Sequence, residues 1–113
     1  MPFREVDTHL QDILTGVENI SLFLGDIDFE AYQLDLKTKS AVERQLQIIT
    51  EAAHRLGDDA DILCPGPDWK AIRGMGNWLR HAYQQIDDAV VWNTVKFGLP
   101  QLKEAVLRTL GTK

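Results

Sequence analysis

Arg73, Asn77, Arg80, His81 and Tyr83 fall within about three helical turns of the run PDWKAIRGMGNWLRHAY. Arginine is permanently protonated, and its planar fork of donors matches the oxygens of a phosphate. Unperturbed imidazole titrates near pH 6.5, so His81 could take or give a proton at neutral pH. At about 100° per residue, Arg73, Asn77, Arg80, His81 and Gln84 form one side of a helix. Ile72, Met75, Gly76, Leu79, Ala82 and Ile86 form the other. Asn77 and His81, four positions apart, are neighbours on the polar side. Arg73 is about 12 Å of helical rise from His81, a gap that a long arginine side chain narrows. One phosphate within reach of all three is the chemistry this pattern predicts: a site for an anionic, phosphate-bearing ligand. Tyr83 lies about 160° around the axis from His81. Its ring is expected at the edge of the apolar side, its hydroxyl open to water, a partner subunit or a modifying enzyme. The plain alternative is a solvated helix face, with Trp69, Trp78 and Trp92 as packing residues and His9 and His54 as ordinary surface or boundary positions.

This helix needs a scaffold, and the flanking sequence predicts one. Val6, Leu10, Ile13, Leu14, Val17, Ile20 and Leu24 recur at helical spacing, and Gly25 ends the run. Asp28 is positioned to cap a short segment around Phe29, Tyr32 and Leu34. Asp35 to Ser40 is polar and reads as a link or frayed turn. Ala41, Val42, Leu46, Ile49, Ala52, Ala53 and Leu56 mark a second long helix from Lys39, stopped at Gly57. Glu51 lies among its apolar residues, where an acid is half-exposed, pairs with an arginine or has a specific polar role, because an unpaired buried carboxylate is costly. The stretch GDDADILCPGPDW, with two prolines and two glycines, reads as the main loop. Asp68 then caps the helix beginning at Trp69. Asp87 and Asp88 interrupt and restart the chain, and Gly98 with Pro100 separates a last helix from about Gln101 to Leu110. Gly74 and Gly76 each cost roughly 1 kcal/mol in a helix interior, so both are expected to allow close approach of another helix or a ligand. No β-type alternation appears. The predicted fold is all-α: an antiparallel bundle of about five helices in a single domain spanning residues 1–113, with a residual apolar face available for dimer formation.

Composition narrows the functions. The chain has 113 residues, 44% hydrophobic and 26% charged, which places it among single globular domains. No apolar run approaches the roughly 18 residues of a membrane span, and MPFREVDTHL lacks the apolar block of a secretory signal. The chain therefore reads as cytoplasmic. The lone Cys64 excludes an internal disulfide, and His9, His54 and His81 show no metal-ligand spacing, so neither metal nor cofactor is expected. A net charge of -5 argues against non-specific nucleic-acid binding. Any RNA contact must be local, with positive charge gathered on one face.

The order AVERQLQIITEAAHRL, a proline-containing loop, PDWKAIRGMGNWLRHAY, DDAVVW and LPQLKEAV resembles the HepT-like toxins of the HEPN superfamily, most strongly over Ala41 to Leu110. The resemblance implies an all-α domain that dimerises, brings two copies of the site helix together and cuts RNA without a metal. It matches His81 and Tyr83 to the family's H-x-Y element. It also implies a nucleotidyltransferase antitoxin that adds AMP to the tyrosine, which would make Tyr83 the modification target. There is one departure. The family's arginine lies four to six residues before the histidine, usually followed by asparagine, but here Gly76 precedes Asn77. Arg73 or Arg80 could replace the missing cation, or the chain could retain the fold without the nuclease. The expected machinery is thus His81, Arg80 and Arg73 in catalysis, Asn77, Arg73 and Arg80 on the RNA phosphates, and a homodimer or higher homo-oligomer. The alternative is a non-catalytic nucleotide-binding or docking subunit of a nucleotidyltransferase complex.

Overall fold

The computed structural model describes residues 3–81 and 85–111, all of it helix, turn and loop with no strand among those residues. Its long helices are α1 (Phe3–Leu24), α3 (Leu36–Leu56), α5 (Trp69–His81) and α7 (Leu99–Gly111); α2 (Phe29–Leu34), α4 (Ala60–Leu63) and α6 (Asp88–Asn93) are short. All seven apolar positions that define the period of α1 are buried. They face Val42, Leu46, Ile49 and Ala53 of α3, and α1 with α3 forms the most extensive helix contact. The two run antiparallel, since Gly16 lies against Ile49 while Asn19 donates to Gln45 Oε1 at 3.2 Å. α5 packs on α3 and α7 on α1, giving a bundle around a single core.

Local chemistry sets the boundaries. Gly25 adopts φ 52°, the left-handed conformation that ends α1. Asp28 then accepts from the Ala31 amide at 2.9 Å to start α2. The polar stretch from Asp35 is not a link. Asp35 accepts from the Thr38 amide at 3.0 Å and from its hydroxyl at 2.6 Å, so the first turns of α3 are capped and helical from Leu36. Those bonds, led by the Thr38 hydroxyl, hold the Asp35 carboxyl below its ordinary range. The main loop also holds more structure than its composition implies: a 3₁₀ turn at Gly57–Asp59 leads into α4. Trp69 is buried and donates through Nε1 to the Cys64 carbonyl at 2.9 Å, fastening the start of α5 to the loop. Asp68 caps α5 by accepting from the Ala71 amide at 3.1 Å.

At the other end, Gly98 and Pro100 do not break the chain. α6 widens through a π-type turn at Thr94–Gly98 and continues directly into α7. Proline has no N–H and its ring crowds the carbonyl four residues earlier; the wider turn and a place in the first turn of α7 accommodate both. Trp92 packs on Phe29 and Tyr32 with ring centroids 5.6 and 5.4 Å apart, and the Lys96 ammonium lies 4.7 Å from its ring. Lys39 pairs with Asp88 at 3.1 Å, joining the starts of α3 and α6. None of the described helices is long and apolar enough to cross a membrane.

Candidate functional site

α3 and α5 meet where Gly76 faces Thr50. A Cβ at position 76 would lie 2.7 Å from both the Cβ and the Oγ1 of Thr50, closer than side chains approach one another. Both residues are buried, and the Thr50 hydroxyl is turned back to donate to the Gln47 carbonyl at 3.0 Å. Beside this contact lies a cleft of about 230 Å³, lined by Arg44, Gln47, Thr50, Glu51 and His54 of α3 and by Arg73, Gly76 and Arg80 of α5. Arg44, Gln47, Glu51 and His54 recur at intervals of three and four, one strip of a helix. Arg73, Gly76 and Arg80 form the matching strip of α5. Three guanidinium groups thus face one carboxylate and one imidazole. This is the local concentration of positive charge that an acidic protein needs in order to hold a polyanion.

The arginines are held in part by neutral acceptors. Arg73 donates through Nη1 to the Gly57 carbonyl at 3.3 Å, and Arg44 to the Gln47 side-chain oxygen at 3.4 Å. Both keep further donors free for a ligand. Glu51 is exposed, and its carboxylate has no hydrogen-bond or ion-pair partner among the described residues. Of the fates expected for an acid in that sequence context, exposure applies and an arginine pair does not. Nowhere among the described residues do three or more His, Cys, Asp or Glu gather in a metal-holding group.

Of the residues singled out in the sequence, Arg73 and Arg80 come together in this cleft. Asn77 and His81 are exposed on the adjoining strip of α5 and do not line it. Helical geometry explains the separation, because each step along the chain turns about 100°, carrying His81 about that far from Arg80. Tyr83 lies outside the described residues. Close approach holds for Gly76 but not for Gly74, which has nothing within 4 Å of its Cβ position. The contribution of α3 is only partly legible in the sequence: Glu51 stands out there as an acid among apolar residues, whereas Arg44 does not stand out and His54 reads as an ordinary surface or boundary residue. The available signal was the polar strip 44, 47, 51 and 54, which alternates with the buried strip of α3.

Comparison with known proteins decides the family. The family model described as Ribonuclease HepT-like matches residues 13–109. The chain belongs to the HepT-like ribonuclease family. It is 40% identical over 100 residues to the "Probable ribonuclease HepT" of Thermococcus cleftensis, covering 88% of this chain and 91% of that protein. It is 33% identical to an RNase-named protein of Methanocaldococcus jannaschii, with the whole of each chain covered. A second such protein from that organism is 34% identical, across 94% of this chain and 97% of its own. No solved structure matches the chain. Family membership gives the cleft a ligand class to be weighed against, and three guanidinium groups are the right chemistry for a phosphodiester.

Proposed function

We propose that the protein is a metal-independent endoribonuclease, the toxin of a toxin–antitoxin pair, acting in the cytoplasm as a homodimer. The observation that carries this reading is the gathering of Arg44, Arg73 and Arg80 around one cleft in a chain of net charge -5 that belongs to a ribonuclease family. RNA supplies its own nucleophile. A 2′-hydroxyl loses its proton and attacks the adjacent phosphate, the 5′-oxygen departs with a proton, and guanidinium groups stabilise the charge that grows on the phosphoryl oxygens. Arg73 and Arg80 hold that phosphate. His81 stands next to Arg80, at the exposed end of α5, and serves as a proton-transfer group toward RNA that spans the two subunits. Asn77, one turn before it on the same exposed strip, orients the imidazole or the RNA backbone. Silencing by a nucleotidyltransferase antitoxin would proceed by AMP addition to Tyr83, two residues beyond His81 in the sequence, which adds a phosphate and its negative charge to the chain.

The test is cleavage of total RNA by the purified protein in excess chelator, with His81→Ala as the control. Cutting by the wild type and its loss in the variant are expected, with thermal stability unchanged because His81 is exposed. Wild-type protein that leaves RNA intact and permits growth when expressed alone would refute the reading. A second reading rests on Gly76: the contact with Thr50 leaves no room for an arginine there. A subunit that docks on a nucleotidyltransferase and delivers a nucleotide without cutting would keep complex formation while showing no cleavage.

A further inference from the structure

The cleft contains a carboxylate that phosphate binding does not explain. Glu51 lines it together with Arg44, Arg73 and Arg80, and a negative charge there repels the phosphates that the arginines attract. It is not present to neutralise them, because it pairs with none, while Arg73 turns to the Gly57 carbonyl and Arg44 to Gln47. It follows Thr50, which packs tightly against Gly76 of α5, so its backbone sits beside that contact while its side chain is exposed and lines the cleft. An ionised carboxylate only accepts hydrogen bonds and arginine only donates them. Among the residues lining the cleft, the side chains that can accept a proton from a hydroxyl are therefore Glu51 and His54, three positions further along α3. His81 does not line it.

We propose that Glu51 is the general base that takes the 2′-hydroxyl proton. The inference rests on the ribonuclease reading above and adds a catalytic residue to it. The O2′–H bond breaks and its proton moves to a Glu51 carboxylate oxygen. The freed electron pair forms the O2′–phosphorus bond. The phosphorus–O5′ bond then breaks, and O5′ takes a proton relayed through water from His81, which stands outside the cleft on the adjoining strip of α5, leaving a 2′,3′-cyclic phosphate on one fragment and a 5′-hydroxyl on the other. Glu51 returns its proton to water, from which His81 is reprotonated. Arg44, Arg73 and Arg80 hold the phosphate beside the carboxylate.

The experiment compares wild type, Glu51→Gln and Glu51→Ala on a short RNA. It measures cleavage rate against pH and, separately, affinity for a 2′-O-methyl oligonucleotide of the same sequence, which cannot be cut. Glu51→Gln should lower the turnover rate by about 10²–10⁴-fold, the range associated with a positioned general base. Its binding of the uncut oligonucleotide should be unchanged or tighter, because a negative charge has left the cleft. The acid limb of the wild-type pH–rate profile should disappear, and formate should restore part of the rate in Glu51→Ala. Cleavage by Glu51→Gln within about threefold of wild type with the same pH profile overturns the proposal and leaves the ribonuclease reading standing. Parallel loss of cleavage and of oligonucleotide binding also overturns it, since that marks a structural residue. Wild-type protein that binds but never cuts overturns the ribonuclease reading and this proposal together.

Discussion

Replacing Gly76 and Gly74 by alanine, one at a time, isolates the contact on which the cleft depends. Both glycines lie in the interior of α5, so each substitution gains the same helix-propensity term, about 1 kcal/mol. Their surroundings differ. At position 74 the new methyl meets nothing within 4 Å, and Gly74→Ala should stabilise the fold by about 0.5–1 kcal/mol. At position 76 the methyl would lie 2.7 Å from Thr50 Cβ, an atom fixed to the α3 backbone that no rotamer change can move. Ordinary contact requires α3 and α5 to separate by roughly 1 Å, and overpacking of this kind costs about 1–3 kcal/mol. Because the propensity terms cancel in the comparison, the gap between the two variants in urea unfolding should be about 1–3 kcal/mol, with Gly76→Ala the weaker. Thr50→Ala should not rescue Gly76→Ala, since it keeps the offending Cβ. Equal midpoints and slopes for the two variants would refute the α3–α5 packing and remove the basis for the cleft.

Other consequences are open to simple measurement. If the three arginines grip RNA phosphates, log affinity for single-stranded RNA should fall with log salt at a slope of about -2, and Arg44→Ala, Arg73→Ala or Arg80→Ala should each flatten it by about 0.7. A slope unchanged by all the replacements would place the RNA elsewhere. Glu43 is a separate case: burial, and secondarily the Asp88 carboxylate, raises its pKa despite Lys39 nearby. A raised acid binds its proton more readily when folded, so its ionisation destabilises the fold as pH climbs from the unfolded carboxylate range through the folded value. Glu43→Gln should therefore be more stable than wild type at neutral pH, and chemical denaturation should show that advantage shrinking toward zero as the pH drops below the carboxylate range.

The scaffold was largely legible because its signals are local. The period of α1, the stop at Gly57 and the caps at Asp28 and Asp68 each depend on neighbours within a turn, and the structure has all of them. The departures have equally local causes that sequence chemistry permits but does not decide. Asp35 reads as part of a polar link until its two bonds to Thr38 make it a cap. Pro100 reads as a break until a π-type turn absorbs it. The cleft was legible mainly on its α5 side, with Glu51 the one residue of α3 that stood out. Arg44 and His54 are unremarkable on a helix wheel, and with Glu51 they become a site only when α5 supplies Arg73 and Arg80 across from them. That pairing depends on which faces of two distant helices meet, information that no window of sequence contains.

The same contact accounts for the departure from the family's arginine pattern. At position 76 α5 packs so closely on α3 that only a residue without a Cβ fits against Thr50. A cation there could enter the cleft only by forcing the helices apart. Arg73 stands three residues before that point and Arg80 four after it, so each lies about a turn away on the same strip and reaches the cleft from either side. The cleft thus draws its positive charge from residues a turn to either side of Gly76 and from Arg44 of α3. On this argument, restoring the family residue with Gly76→Arg should separate α3 from α5 and disperse the arginines. Its stability should fall below that of Gly76→Ala and its RNA affinity below that of wild type, whereas a gain in either would mean that the helices can part at little cost and that the glycine is incidental.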